Sequence, residues 1–194
     1  KTLILYCVTC LLLSSATLNS TAQADENPNI IFILADDCSY LDLELYGGPA
    51  KTPHLNSLAK KGMTFNRCYQ AAPMCSPTRH ALYTGLYPVR NGAYGNHTRV
   101  YDDVKSAAHY FKDMGYRVGL AGKKHISPRS AFPFEMAGEE NKTAKGESSF
   151  GIEVTREFMA RNNTQPFFLV VASANPHGPW NRGNKKQFPE KSIN

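Results

Sequence analysis

The chain has 194 residues, which is enough for one domain with a hydrophobic core. Its 22 lysines and arginines against 16 aspartates and glutamates give a formal net charge of +6. The basic residues are scattered along the sequence rather than clustered between aromatic side chains, which argues against a nucleic-acid-binding protein.

The amino-terminal segment has the pattern of a secretory signal peptide. Lys1 is followed by the apolar run "LILYCVTCLLL" and then by small and polar residues that end with Ala22 and Ala24. This pattern predicts that residues 1–24 are removed after export to the periplasm, the cell exterior or a lysosome, depending on the organism. The apolar run is too short to span a bilayer, so no stable membrane insertion is expected. A buried strand or helix is the alternative interpretation.

The first elements after this segment are an apolar strand and a short helix. Residues 30–34, "IIFIL", form an unbroken apolar run that is typical of a parallel strand buried on both faces. A helix is predicted after Thr52 as the N-cap, with Pro53 at its first position and Gly62 at its end. The following "MTFNRCYQ" alternates weakly and is predicted as a strand.

Helices and strands continue to alternate in the second half of the chain. Apolar residues at helical spacing predict a helix between Asp103 and Gly115, and "YRVGLAGKKH" predicts the next strand. A weaker helix is predicted over residues 152–161, before the buried strand "PFFLVVAS". Residues 127–149 between them are rich in Pro, Gly and polar side chains and are predicted as a long loop. The alternation predicts an α/β domain with a mostly parallel sheet flanked by helices.

Polar side chains follow three of the predicted strands. Asp36 and Asp37 follow the first, Lys123 and His125 follow the middle one, and His177 follows the last. Because ligands of parallel sheets bind beyond the carboxyl ends of the strands, these residues predict one site at that edge.

The adjacent carboxylates of Asp36 and Asp37 are candidates for a metal site. Like charges so close together favour a cation between them, and oxygen ligands favour Ca²⁺ or Mg²⁺ over zinc. The alternative is that one aspartate caps a turn and the other is solvated.

The segment "AAPMCSPTRHALYTG" places a cysteine where a helix begins. Ser76 is predicted to cap this helix and Pro77 to occupy its first position, with Gly85 at its end. Cys75 would then lie at a helix N-terminus, which favours an anion, and Arg79 would add charge one turn later. A structural cysteine beside a solvent-facing arginine is the alternative.

Three cysteines remain after the predicted signal peptide: Cys38, Cys68 and Cys75. An odd number in an exported chain leaves at least one without an intramolecular partner. Cys38 and Cys68 could form a disulfide or remain thiols, and the sequence leaves both open.

The segment "CSPTRHALYTG" resembles the C-x-P-x-R signature of sulfatases. Together with "NIIFILADD", "GLAGKKH" and "NPHGPW", it resembles the type I sulfatases of the alkaline phosphatase superfamily over roughly Asn29 to Trp180. The stretch "GKKHISPR" is most similar to the N-sulfoglucosamine sulfohydrolases (sulfamidases). The resemblance implies an alkaline-phosphatase-like α/β fold.

The resemblance also implies a chemistry for the signature cysteine. In that family a formylglycine-generating enzyme converts this residue, here Cys75, to Cα-formylglycine, whose hydrated aldehyde is the nucleophile. A second hydroxyl on the same carbon then releases sulfate, which a plain serine or cysteine could not do.

The remaining site residues take their implied roles from the same resemblance. Asp36, Asp37 and the converted Cys75 would bind the divalent metal, usually Ca²⁺, with Arg79 supporting the site. Lys123 would neutralise a sulfate oxygen and His125 would hold the formylglycine hydroxyl. His177 would contact the sulfate or protonate the leaving group. Outside these motifs, His97 in "GNH" is a candidate substrate contact, whereas His54, His80 and His109 have no comparable indication.

The implied activity is hydrolysis of sulfate esters or N-sulfate groups on a sulfated carbohydrate. In that family, further metal ligands and a second lysine lie beyond the position that corresponds to Asn194. Residues 25–194 are therefore expected to be the N-terminal part of the catalytic domain. Two alternatives stay open: a phosphodiesterase or phosphonate hydrolase of the same superfamily, and an inactive fragment that only binds sulfated glycans.

Overall fold

The structure is a computed structural model that describes residues 27–139 and 150–178. The predicted signal peptide, part of the predicted loop and the end of the "NPHGPW" stretch lie outside the described residues. Within the described ranges, no helix has the length and apolar character needed to cross a membrane.

The described chain alternates between strands and helices, as the sequence predicts. The strands are β1 (Ile30–Asp36), β2 (Arg117–Gly122), β3 (Glu135–Glu139) and β4 (Phe167–Pro176). The helices are α1 (Pro53–Lys61), α2 (Cys75–Thr84), α3 (Pro88–Asn91), α4 (Ala107–Asp113) and α5 (Ile152–Ala160), and two short 3₁₀ turns cover Tyr40–Asp42 and Glu44–Tyr46.

The four strands form one parallel sheet in the order β1-β4-β2-β3. The last strand in sequence, β4, therefore lies between β1 and β2, and its Val171 pairs with Ile33 on one side and Ala121 on the other. This arrangement confirms the predicted α/β class. It also brings the carboxyl ends of β1, β4 and β2 to the same edge of the sheet.

The apolar side chains of β4 are buried on both faces of the sheet. Phe168 and Val170 pack into the larger core with α2 and α4, whereas Leu169 and Val171 pack on the opposite face with Phe158 of α5. An unbroken apolar run is what a strand covered on both faces requires. The prediction for "PFFLVVAS" is therefore confirmed.

The same prediction for β1 is wrong on one face. Ile30, Phe32 and Leu34 pack against the larger core, but Ile31 and Ile33 are 50% and 62% exposed. Within the described residues β1 is an edge strand, and the core cluster under α5 contains residues of β2, β3 and β4 but none of β1.

Two other predictions also need correction. Residues 63–70, predicted as a weak strand, form no helix or strand and are exposed throughout, and they pair with no strand of the described residues. Conversely, β3 lies inside the predicted loop, where it pairs in parallel with β2 and forms the other edge of the sheet. A short segment of this kind becomes a strand through its partner rather than through its own propensity.

The boundaries of α1 and α5 agree with the sequence, whereas α4 begins later than predicted. Helix α1 has Thr52 at its N-cap and Pro53 first, and it ends before Gly62; α5 ends one residue before its predicted limit. Helix α4 begins at Ala107 instead of after Asp103, because Ser106 is its N-cap and the Ser106 amide donates to His109 Nδ1 at 3.2 Å. His109 is thus used to cap a helix.

Gly122, at the end of β2, provides a test of how tightly the site edge is packed. An added Cβ there would collide with the carbonyl oxygen of Ala172, whereas one at Gly115 would meet nothing within 4 Å, although the φ angles are nearly equal at +88° and +85°. Gly115→Ala should cost about 1–2 kcal/mol of unfolding free energy from the left-handed backbone alone. Gly122→Ala should cost about 1–3 kcal/mol more because of the collision. Urea denaturation of both variants measures the difference, and equal losses would contradict this account.

Candidate active site

Three chain segments meet at the carboxyl edge of the sheet. Asp36 is the last residue of β1, Lys123 directly follows β2, and His177 directly follows β4. The Lys123 amide donates to the carbonyl oxygen of Ala172 at 2.9 Å, so the backbone after β2 stays attached to β4 as it leaves the sheet.

Helix α2 adds Cys75 to this edge, although it begins differently from the prediction. The N-cap is Met74 rather than Ser76, Cys75 is the first helical residue, and Pro77 is the third. Proline is tolerated there because its missing amide hydrogen would have no partner within the helix. Among the described residues no side chain caps this end, so its free amides and the helix dipole favour an anion beside Cys75.

A buried charged network joins α2 to the ends of β1 and β2. Asp36 is 2% exposed and Arg79 is 3% exposed. Arg79 Nη2 donates to Asp36 Oδ1 at 3.0 Å, and Arg79 Nη1 donates to the Lys123 carbonyl at 3.2 Å. The Lys123 ammonium donates to the other oxygen of the same carboxylate. Arg79 therefore links α2 to β1 and to the segment after β2 through buried hydrogen bonds. The alternative of a solvent-facing arginine is wrong.

The two cations keep the Asp36 carboxylate ionised. Burial alone would raise its pKa, but the hydrogen bonds from Lys123 and Arg79 outweigh that effect and hold the pKa below its ordinary value.

Asp37 and His177 lie beside each other at the outer side of this network. His177 Nε2 is 3.7 Å from Asp37 Oδ2, and Asp37 is exposed. The other ring nitrogen of His177 is 2.9 Å from the carbonyl oxygen of Gly178.

Cys75 faces a pair of histidines. Its Sγ is 3.2 Å from His125 Nδ1 and 3.6 Å from Asn96 Oδ1. The second ring nitrogen of His125 is 2.8 Å from His97 Nδ1. Burial, followed by the charges of Lys123, His97 and Arg79, lowers the pKa of His125 to about 4, so this imidazole is neutral near pH 7.

Asp37, His97 and His125 share an uncommon backbone conformation. They are the non-glycine residues of the described chain with positive φ, at 56°, 62° and 48°. Asp and His are among the residues that tolerate this region, and such residues concentrate at functional sites. All three surround the end of α2 or the ends of the strands.

His80, which no sequence pattern singled out, supports the backbone of the site. It is fully buried, and the amide of Ser127 donates to its Nε2 at 2.9 Å. Its Nδ1, which then carries the hydrogen, lies 2.8 Å from the carbonyl oxygen of Ser76. Burial lowers the pKa of this imidazole, which favours the neutral form that these two bonds require. His80 thereby fixes the first turn of α2 to the segment that carries His125.

The end of α2 opens into a cavity of about 110 Å³ between β1 and the helix. Its walls combine the charged network with apolar side chains and are formed by Leu34, Ala35, Asp36, Asp37, Gln70, Pro73, Met74, Cys75, Thr78, Arg79 and Leu82.

The described residues fit part of a metal site. Asp36 and Asp37 offer the carboxylate oxygens that Ca²⁺ and Mg²⁺ prefer. No three His, Cys, Asp or Glu side chains in residues 27–139 and 150–178 are grouped so that they could enclose an ion. Since Ca²⁺ takes about six to eight oxygen ligands, the donor types fit such an ion, and the two carboxylates would supply only part of its coordination shell.

All three cysteines of the described chain are free thiols. Cys68 is exposed and Cys38 is half-buried, so the disulfide that the sequence left open is not formed.

Arg79 provides a test of the buried network. Arg79→Met should lower the free energy of unfolding by about 3–5 kcal/mol, because it leaves a buried carboxylate with one of its two cations missing. Arg156→Met removes an exposed partner of Glu153 in a 2.8 Å ion pair and should change stability by less than about 0.5 kcal/mol. Thermal and urea unfolding compare the two variants, and similar losses would show that the Arg79 network does not hold the site together.

Comparison with known proteins shows which family this chain resembles. Residues 28–193 match the family described as Sulfatase. The Ulvan-active sulfatase of Formosa agariphila is 34% identical over 169 residues, covering 86% of this chain and 34% of that protein. The human N-sulphoglucosamine sulphohydrolase is 35% identical, covering 77% of this chain and 32% of that protein.

Solved structures share the fold. The structure of BT4656 in complex with its substrate D-glucosamine-2-N,6-O-disulfate matches with a TM-score of 0.65 and 22% identity, over 79% of this chain and 35% of that one. The chain spans about a third of the length of the two curated relatives. By the match across residues 28–193, the chain belongs to the sulfatase family.

Proposed function

We propose that the protein is an exported sulfatase that hydrolyses sulfate esters or N-sulfate groups of a sulfated carbohydrate. The observation that carries the proposal is the position of Cys75. It lies at an uncapped helix N-terminus, with His125 Nδ1 3.2 Å from its sulfur and the buried Asp36, Arg79 and Lys123 network behind it.

The relatives support the proposed substrate class. One is an ulvan-active sulfatase, one is named for N-sulphoglucosamine, and one solved neighbour holds a glucosamine that carries N- and O-sulfate groups. The site itself suits such a group, because a helix N-terminus and two cationic side chains favour a tetrahedral anion. Export is proposed from the signal-peptide pattern of residues 1–24 alone.

The nucleophile is proposed to be Cα-formylglycine made from Cys75 by a formylglycine-generating enzyme. When formed, it supplies a hydrated aldehyde with one hydroxyl to attack sulfur and a second to release sulfate. The His125 imidazole, neutral near pH 7, would then accept the proton of a hydroxyl at position 75. Arg79 and Lys123 would orient the anion through their charge, and His177 would serve the leaving group from the end of β4.

The metal is proposed to be Ca²⁺, with Mg²⁺ as the alternative. Asp36, Asp37 and the converted residue 75 would hold it, together with ligands outside the described residues. Such an ion would supply Lewis-acid stabilisation of oxygens that gain negative charge. The pairing of Asp36 with two cations keeps it ionised, which is the form a metal ligand needs.

The nucleophile can be tested by intact mass of the peptide that contains Cys75, after coexpression of the protein with a formylglycine-generating enzyme. Conversion of the thiol to an aldehyde should lower the mass by about 18 Da. Cys75→Ser should abolish turnover of sulfated substrates, whereas Cys68→Ser, which changes an exposed free thiol, should leave it unchanged. A thiol always recovered at position 75, or full activity of Cys75→Ser, would contradict the proposed nucleophile.

The reaction class can be tested by comparing an aryl sulfate, an N-sulfated glucosamine and an aryl phosphodiester at saturating Ca²⁺. We expect hydrolysis of one or both sulfated compounds at a kcat/KM at least about 100-fold above that for the phosphodiester, a difference of about 2.7 kcal/mol in transition-state stabilisation. Preference for the phosphodiester would instead indicate a phosphodiesterase or phosphonate hydrolase. Binding of sulfated glycans without turnover would indicate a binding protein.

A further inference from the structure

We propose that His97 is a positioning residue for His125: it fixes the orientation and the proton placement of the imidazole that faces residue 75. This inference rests on the proposed function and extends it, because it assigns a role to a residue outside the sulfatase motifs of this sequence.

His97 and His125 are in direct contact. His97 Nδ1 lies 2.8 Å from His125 Nε2, and the two ring centroids are 4.6 Å apart with the planes inclined at 44°. At its other side the His125 ring is 3.2 Å from the sulfur of Cys75. An imidazole attached by two rotatable bonds needs two anchors to keep a fixed direction. Position 75 provides one anchor for His125, and His97 provides the other.

The protons can then be assigned. For His125 to accept a proton from the hydroxyl proposed at position 75, its Nδ1 must present a lone pair to that hydroxyl. A neutral imidazole has one N–H, which therefore lies on Nε2 and is donated to His97 Nδ1. Removing the acceptor at His97 frees the ring to rotate and to place its hydrogen on either nitrogen. His97 thus selects the tautomer in which His125 can accept a proton from residue 75.

The turn that carries His97 supports this role. His97 has a φ of 62°, and the neighbouring Thr98 hydroxyl donates to the Gly95 carbonyl at 2.7 Å. The preceding Asn96 places its side-chain oxygen 3.6 Å from the Cys75 sulfur. One short turn therefore contacts both residue 75 and the ring that faces it.

This role differs from the substrate contact that the sequence suggested for His97. Loss of a substrate contact would chiefly raise KM, and only for a substrate large enough to reach it. Loss of a positioning residue would chiefly lower kcat, and it would do so equally for a small aryl sulfate and for a sulfated sugar.

The test compares His97→Gly with His97→Asn in the full-length protein with residue 75 matured. Both replacements tolerate a φ near 62°, so neither strains the turn. Glycine removes the acceptor, whereas the asparagine amide oxygen replaces Nδ1. We expect His97→Gly to lower kcat about 10- to 100-fold on both substrates with little change in KM, and His97→Asn to recover most of that loss.

A second readout does not depend on turnover. Ring ¹⁵N chemical shifts of histidine-labelled protein, with His125 assigned through His125→Gln, report which nitrogen carries the hydrogen. We expect a hydrogen on His125 Nε2 in the wild type and in His97→Asn, and a mixture of tautomers in His97→Gly.

The outcomes separate the two proposals. A raised KM with unchanged kcat, or His97→Asn as impaired as His97→Gly, would overturn the positioning role. Identical His125 spectra in all three proteins would do the same. If the wild type turns over no sulfated compound, the proposed function fails, and the spectra still decide whether His97 sets the tautomer of His125.

Discussion

The site depends on one buried carboxylate that satisfies two cations. Asp36 ends β1, Arg79 comes from the second turn of α2, and Lys123 follows β2, so the network joins parts of the chain that are far apart in sequence. A buried ion pair is weak evidence for stability, because desolvation offsets much of the attraction. Its value here is geometric: the carboxylate can be buried only if both cations are placed correctly, which fixes the helix relative to the sheet.

Other parts of the site follow from that placement. With α2 held in position, Cys75 lies at the strand ends and His80 can reach Ser127. Three histidines have different contacts in this site. His125 faces residue 75, His97 contacts the ring of His125, and His80 accepts and donates hydrogen bonds with the backbone. The three side chains are chemically identical, so their different roles come from their surroundings.

The sequence predicted most of the fold because its strongest patterns are local. A few neighbouring residues determine each of these patterns. Examples are the strand "PFFLVVAS", the proline and glycine at the two ends of α1, and the helix that stops at Gly85. Predictions were wrong where the outcome depends on a partner. In the described part of the chain, segment 63–70 pairs with no strand, β3 exists because β2 is adjacent, and one face of β1 is not covered by α5.

In the site, too, local features could be predicted, whereas contacts between distant residues could not. Strand ends and a helix start could be located from the sequence, and they placed Asp36, Lys123, Cys75 and His177 on one edge. The contacts of His80 and His97 could not be predicted, because they join residues 28 and 47 positions apart and involve positive φ angles that the sequence does not reveal. A histidine beside an asparagine and a glycine in "GNH" is compatible with a left-handed turn, but that signal is weak.

The exposed isoleucines of β1 have a consequence for handling the protein. Ile31 and Ile33 form an apolar strip on a strand that, within the described residues, has a free edge. Such a strand can pair with a second molecule and begin aggregation. Because β1 ends in Asp36, self-association there would act directly on the residue that binds Arg79 and Lys123. Solubility and the geometry of the site are therefore linked through a single strand.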